Sequence, residues 1–454
     1  MARFDFDLIV IGSGDAGTEA AFLANEAGLK VAVVESAKWG GSTLNYSDIP
    51  MGALRYVSQL LHKSKGAAKL GLSSTTLRYN YPTVNNWKNF AMKRAGADDK
   101  KVYTDEKITC IEGEARFLSA HEIAVDEKTY KAKQFLIATG AKIADVGIKI
   151  ADNVNFLMPE DVPYILRPPK SIFIVGAGAT GCELAQYFND MGASVTLADL
   201  AVRILPQEDE EVGQVLEEIY SKESIKVLTQ SRVVAIEKQD NTIKVIFIRG
   251  GQEKSVKVDE VVLCTGYTPN VQDLGLNNAK VKFTHEGIRV NNEMQTSAKN
   301  IYACGDVIGG HSNNTKAKIE ARIAAMHIIS GRSRETVDYK GLIRTTKVFP
   351  EVATVGLNED DCIKADRKFK KVIKPLYCNA AITENFRSGF IKMISDKHGL
   401  FLGATIMAPN ASLIAQELSM ALRYNMSVGE IYQVPHPENE WTLLIKNCCE
   451  DLLK

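Results

Sequence analysis

Gly12-Ser13-Gly14-Asp15-Ala16-Gly17 is the stretch on which the fold turns. It follows an apolar run, Phe6–Ile11, and opens an alanine-rich segment, Ala16–Gly28, that leads to a second apolar run, Lys30–Glu35. Apolar runs of this length without polar alternation suit strands buried on both faces, so the order reads strand, glycine turn, helix, parallel strand. In such a unit the first glycine permits a tight turn and the second lets backbone approach a pyrophosphate. The third lets helix and strand pack closely. The helix N-terminus then turns its unpaired N–H groups toward the phosphates. Glu35 ends the second strand, 18 residues after Gly17, where a carboxylate accepts hydrogen bonds from a ribose.

The design occurs twice. Strand Ser171–Val175 runs into Gly176-Ala177-Gly178-Ala179-Thr180-Gly181, then a helix over Ala179–Met191 and a strand over Ser194–Asp199. Asp199 again stands 18 residues after the third glycine. An acid there suits a ribose with free hydroxyls and repels a 2′-phosphate, which favours NAD(H) over NADP(H). The plainer alternative is a solvated strand end. Two such units predict two doubly wound (Rossmann-like) α/β domains, or one domain duplicated.

A length of 454 residues suits about three domains. Lys+Arg and Asp+Glu number 55 each, so no long-range field draws the chain to nucleic acid or an anionic membrane. No stretch approaches the ~18 uninterrupted apolar residues of a membrane span. The start, Met1-Ala2-Arg3-Phe4-Asp5-Phe6-Asp7, is wrong for a signal peptide, and a cytoplasmic location is expected. Eight cysteines occur with neither Cys-x-x-Cys nor zinc-like spacing, so no metal is expected.

Arg167-Pro168-Pro169-Lys170 reads as a linker before the second unit. Short strands are expected over Val227–Ile236, Ile243–Ile248 and Val261–Cys264, with a boundary at Thr265–Asn270. From about Tyr339 the texture changes. Strands around Val352–Val355, Lys371–Tyr377, Phe390–Ile394 and Leu402–Met407 precede helices over Ala411–Tyr424 and Asn439–Leu453, which suggests an α+β module. The expected division is 1–148 and 267–335 for the first dinucleotide domain, 149–266 for the second, and 336–454 for the last module.

With these motifs in order, the chain resembles the pyridine nucleotide–disulfide oxidoreductases, nearest to dihydrolipoamide dehydrogenases. The likeness continues through Ala138-Thr139-Gly140, Glu183 after the second glycine loop, and Arg203-Ile204-Leu205. Thr296 through Tyr302-Ala303-Cys304-Gly305-Asp306 resembles the second FAD motif. Pro350–Gly356 and His436-Pro437 resemble the interface module. The resemblance implies FAD held by Gly12, Gly14, Gly17, Glu35, Gly41, Ser42, Thr139, Gly140 and Asp306. It implies NAD(H) held by Gly176, Gly178, Gly181, Glu183, Asp199 and Gly266. It also implies a homodimer through a C-terminal α+β dimerisation domain, and a multienzyme-complex partner by resemblance alone.

The pattern breaks at Gly40-Gly41-Ser42-Thr43-Leu44-Asn45-Tyr46-Ser47-Asp48-Ile49-Pro50-Met51-Gly52. Thr43 and Asp48 stand where the family has its two redox cysteines, and Gly52 stands where it has a lysine. Neither Thr nor Asp carries thiol exchange. Asp48 has three readings: an ionised group that preserves the negative charge of a thiolate, a protonated acid that donates to flavin or acceptor, or a cap on the helix opening at Ile49-Pro50. Glu183, deprived of the family lysine, needs a partner. Arg55, one helical turn after Gly52, either reaches it or stays solvated. The family's H-P-x-x-x-E spacing puts Trp441 where an acid belongs. His436 then either bonds an acceptor or is structural. Cys448-Cys449 is a poor redox pair, because neighbours on a helix diverge by about 100° and vicinal disulfides are strained. One of the two is expected in the core and one at the periphery.

These residues predict an FAD-dependent NADH oxidoreductase, with Asp48, Glu183 and His436 as candidate catalytic groups. Electrons would pass to a small-molecule acceptor that is not a dithiol: a quinone, dye, oxygen or nicotinamide. The alternative is a catalytically degenerate FAD/NAD-binding subunit or scaffold.

Overall fold

The computed structural model describes residues 4–72, 77–331 and 335–454; Met1–Arg3, where the N-terminal reading begins, lie outside them. Strand Phe6–Ile11 lies in the middle of a sheet, parallel to Val31–Glu35 on one side and to Lys128–Ile137 on the other. Leu8, Ile9 and Val10 are wholly buried, as a strand covered on both faces requires. Thr109–Glu112 extends one edge, and the far edge is decisive. Strand Ile301–Ala303 pairs in parallel with Lys128–Ile137, Ile301 opposite Phe135. The chain therefore leaves this sheet, builds another domain, and returns.

On one face of the first sheet, helix Asp15–Glu26 packs on helix Asn314–Ser330. The meeting faces are small: Ala16, Ala20, Ala21 and Ala24 against Ala317, Ala321, Ala324 and Ala325. Short side chains let the two axes approach closely, so the helix that follows the Asp306 loop sits beside the one that opens at Gly14.

The second sheet is parallel in the order Lys226–Leu228, Ser194–Ala198, Ser171–Val175, Glu260–Leu263. Beside it lies an antiparallel sheet, Ser231–Gln239, Thr242–Arg249 and Gln252–Val258, joined by the short strand Lys149–Ile150. The expected strand Val227–Ile236 is thus two strands. Gln230, at φ +51°, breaks it, because a left-handed residue cannot continue a pleat. Gln252–Val258 escaped sequence reading because it is an exposed, charged edge strand.

The C-terminal module is a five-stranded antiparallel sheet in the order Ile343–Thr346, Glu351–Gly356, Phe401–Ala408, Phe390–Asp396, Phe369–Pro375. Helices Ala411–Arg423 and Leu443–Leu453 share its core. The last helix starts at Leu443 rather than Asn439, after a non-helical turn at Pro437–Glu440. Among the described residues no helix is long and apolar enough to cross a membrane.

A buried ionic knot joins this module to the second dinucleotide domain. Lys392 Nζ, 1% exposed, sits 3.0 Å from Asp209, 2.9 Å from Glu211 and 2.6 Å from Glu359. Thr405 donates to Asp209 at 2.6 Å. Removing one member of a buried ionic group is costly because the remaining charges cannot recover water. Lys392→Met should therefore cost about 3–5 kcal/mol, read as a lower denaturation midpoint; a variant as stable as the parent would refute the account.

Candidate functional site

The two glycine loops are built alike. Gly12 and Gly176 both have φ +102°. A Cβ on Gly12 would collide with the Ala138 carbonyl, and one on Gly176 with that of Cys264. A Cβ on Gly17 would strike the Gly12 carbonyl, and one on Gly181 that of Gly176. The middle glycines differ. Gly14 would meet only Gly41 Cα at 3.9 Å, and Gly178 nothing within 4 Å. The protein's own packing demands the first and third glycines but not the second, so the second is left to a ligand that approaches the backbone. Both cradles therefore fit a dinucleotide pyrophosphate.

The strand-end acids hold these loops. Glu35 accepts from Ser13 N at 2.8 Å, Ser13 Oγ at 2.6 Å and Ala37 N at 2.8 Å. Asp199 accepts from Ala177 N at 2.5 Å and Ala201 N at 2.7 Å. Sequence reasoning gave both acids to ribose and missed this loop-tying bond. Gly41, at φ +64°, brings its backbone against Gly14, and Ser42 follows it on the surface. Thr139 donates to Asn270 O at 2.8 Å, and Asn270 N donates to Gly140 O at 3.0 Å, stitching the crossing between domains. Asp306 accepts from Ser312 Oγ and lines a cleft of about 450 Å³ with Tyr267, Thr268, His285, Gly309 and Gly310. Gly266, at φ +93°, follows the last strand of the second sheet.

Helix Asp48–Ser64 bridges the two halves. Arg55 Nη1 meets Glu183 Oε2 at 2.5 Å, and Lys347 N donates to Glu183 Oε1 at 2.6 Å. Of the two readings of Arg55, the structure places it on Glu183. Burial raises the Glu183 carboxyl; Arg55 and the Lys347 N–H draw it back only in part, and Asp48 pushes it up further. Asp48 is not the helix cap: Ser47 holds that place and Asp48 is the first helical residue. Its carboxylate accepts from Asn314 Nδ2 at 2.7 Å, at the start of the helix that follows the Asp306 loop. Asp48 keeps contact with solvent, yet partial burial of its carboxyl raises its pKa, with Arg55 opposing and Asp15 adding. Thr43 donates its hydroxyl to Asp15, which lies 3.3 Å from Lys318. The Asp48–Asn314 and Thr43–Asp15 pairs had no local signal, because each joins residues far apart in the chain.

Two cradles of one geometry, a chain that returns to its first sheet, and a separate C-terminal α+β module all stand in one order. The pattern of the pyridine nucleotide–disulphide oxidoreductase family matches residues 6–327, and that of its dimerisation domain matches 343–439. The chain belongs to this family. A dihydrolipoyl dehydrogenase of Thermus scotoductus is 32% identical over 442 residues, covering 95% of this chain and 94% of the relative. One of Staphylococcus aureus is 30% identical, covering 95% and 93%. Among solved structures, the HOCl-induced flavoprotein disulfide reductase RclA from Escherichia coli superimposes with a TM-score of 0.86 at 21% identity, covering 98% of this chain and 99% of that one. Family members use FAD and NAD(H), and the two cradles above are where this chain carries the corresponding backbone.

His436 finds its acidic partner on an earlier helix. His436 is buried, with Nε2 3.0 Å from Glu417 Oε1 and Nδ1 2.7 Å from Val434 O. Both ring nitrogens are engaged, and the acid comes from helix Ala411–Arg423 rather than from a residue after His436. Trp441 lies in the core, edge-on to Phe386 at 5.9 Å. Cys448 and Cys449 are both fully buried, which corrects the expectation of one peripheral thiol. Burial raises both thiols, and neither is presented to the cleft.

The open space at Gly178 separates ligand approach from folding. Gly178→Ala should leave the unfolding midpoint unchanged and weaken NADH binding by about tenfold or more, while Gly181→Ala should lower the midpoint itself. Calorimetry and a binding titration on the two variants check this, and an unaltered affinity in Gly178→Ala would argue against a pyrophosphate at that loop.

Proposed function

We propose that the chain is an FAD-dependent NADH oxidoreductase whose acceptor is not a dithiol. The observation that carries this reading is the pairing of two intact dinucleotide cradles with a Thr43 hydroxyl held by Asp15 and a carboxylate at Asp48. Thiol exchange needs sulfur at those two positions, and neither residue supplies it. Two-electron transfer from NADH to an acceptor is what a flavin supplies when bound. A quinone, a dye, oxygen or a second nicotinamide fits such direct transfer. Asp199 favours NADH over NADPH.

The chain's own residues set the stage. Glu183, held by Arg55 and the Lys347 N–H, keeps a charged pair in the seam between the cradles. Asp48, its carboxyl raised, holds a proton at higher pH than an ordinary aspartate, which supports a role as proton donor to a reduced acceptor. With both nitrogens occupied, His436 serves as a structural tie and not as a base. The working form is a homodimer through the C-terminal domain, with the limits 1–148 and 267–335, 149–266, and 336–454 for the three domains. A second reading, a degenerate FAD/NAD-binding subunit, draws on the changes at Thr43, Asp48, Gly52 and Trp441 together.

Anaerobic titration of the yellow protein with NADH separates the two. Bleaching of the flavin without a long-wavelength thiolate charge-transfer band is expected, and lipoamide should not be reduced. A flavin that stays oxidised under excess NADH would leave the binding-subunit reading standing.

The pH profile tests Asp48. A protonated donor is lost as pH rises through its pKa, so acceptor reduction should fall with rising pH on a limb displaced upward from an ordinary aspartate. Asp48→Asn should lower the turnover number and erase that limb while flavin reduction by NADH persists. Retention of the limb would remove Asp48 from the mechanism.

A further inference from the structure

Helix Asp48–Ser64 runs alongside helix Ala179–Asp190, and the two are bridged twice. Arg55 meets Glu183; one heptad further along both helices, His62 Nδ1 lies 3.0 Å from Asp190 Oδ1. A heptad is close to two helical turns, so both bridges fall on one seam. This seam joins the helix that begins with Asp48 to the helix that opens at the second glycine loop.

Several elements converge on His62. Its Nε2 faces Glu223 Oε1 at 3.5 Å, just past helix Glu210–Lys222. Lys65 shares Asp190 at 2.9 Å. Phe349 meets the imidazole edge-on at 5.0 Å and carries Lys63 over its own ring. Gln186 fixes the Phe349 backbone on both sides, at 2.5 and 3.0 Å. The other titratable groups of the seam are phenols, Tyr81 with Tyr187 at 3.3 Å and Tyr79 on Met191 O at 2.6 Å. The Asp190 side chain is 3% exposed. Glu223 Oε2 is buried without a hydrogen-bond partner among the described residues.

Both nitrogens of His62 face carboxylates, Nδ1 in a hydrogen bond to Asp190 and Nε2 in a looser ion pair with Glu223, and the doubly protonated ring serves both. With His62 charged, two cations face Asp190 and Glu223. With His62 neutral, Lys65 still serves Asp190, but Glu223, its side chain 17% exposed, loses its nearest cation. We propose that His62 in its protonated form is a positioning residue, clamping the seam between the two dinucleotide-binding halves and so holding Arg55 and Glu183 in register for NADH. Release of its proton as pH rises opens the clamp.

The balance of charges agrees. Burial pulls the imidazole down, but the hydrogen bond to Asp190 and the charges of Asp190 and Glu223 outweigh it and leave the pKa raised. A raised histidine contributes stability that is complete below the ordinary ~6.5 and is lost as pH rises through the folded value. The inference rests on the two-site architecture and not on the acceptor, so it can fail or hold independently of the proposed reaction.

The test uses the holoprotein labelled at histidine Cε1. It has seven histidines, and His62→Gln identifies one resonance. That resonance should titrate above ~6.5, and NADH binding by the parent should weaken over the same interval. His62→Gln should bind NADH weakly at every pH. Lys65→Gln, exposed enough to fold normally, removes a repelling cation and should move the resonance and the binding limb together to higher pH. A His62 resonance at or below the ordinary value overturns the proposal. So does a binding limb that survives in His62→Gln, or one that stays fixed when Lys65→Gln moves the resonance.

Discussion

In each glycine loop, a strand-end carbonyl from the same sheet occupies the space a side chain would need: Ala138 against Gly12, Cys264 against Gly176. This close approach is the constraint on which the rest of the molecule hangs. It lets the helix begin directly at the carboxyl ends of the strands, where its first N–H groups are unpaired and face outward. The third glycine presses helix to loop, and the strand-end acid ties the loop from the other side through the N–H between the first two glycines. Two separate stretches of chain reach the same solution, because the same donors must be offered to the same chemical group.

Helix Asp48–Ser64 is the second organising element. One helix presents a carboxylate at its first residue, a guanidinium two turns on, and an imidazole near its end. Gly52 offers Glu183 no cation. Arg55, one turn later, reaches the same carboxylate because residues three apart share a helix face and a guanidinium has the length to span the gap. The charge pair between the halves is thus supplied by Arg55 and Glu183. A buried glutamate cannot readily go without a cation, whereas Thr43 and Asp48 each find a neutralised or amide partner, Asp15 beside Lys318 and Asn314.

Much of this was legible from local patterns. Both βαβ units and the α+β texture of the C-terminal module follow from apolar runs and glycine spacing, whereas the return to the first sheet near Thr296–Asp306 was only implied by the family resemblance, and the antiparallel order came from the structure. The reading of Asp48 as a helix cap missed because the helix opens one residue earlier than Ile49, making Asp48 its first residue and leaving the cap position to Ser47. Cys448 and Cys449 were assigned by helix geometry alone, but the last helix is covered on more than one side, by the sheet and by helix Val428–Tyr432, so both neighbours are buried. The strand Gln252–Val258 carries too many charges to announce itself, since an edge strand draws its stability from its neighbour's backbone rather than from an apolar face.

The sequence by itself determined the dinucleotide cradles, because a glycine needed for close backbone approach and an acid at a strand end act within one short unit. It also determined that positions 43 and 48 carry no sulfur, since a threonine or aspartate cannot be converted into a thiol by any fold. Only the tertiary structure decided the partners: Arg55 for Glu183, Glu417 for His436, Asn314 for Asp48, Asp190 and Glu223 for His62. Those pairs join residues brought together by packing between domains, and a charge in a string of letters does not say which opposite charge or dipole will be left beside it once water is excluded.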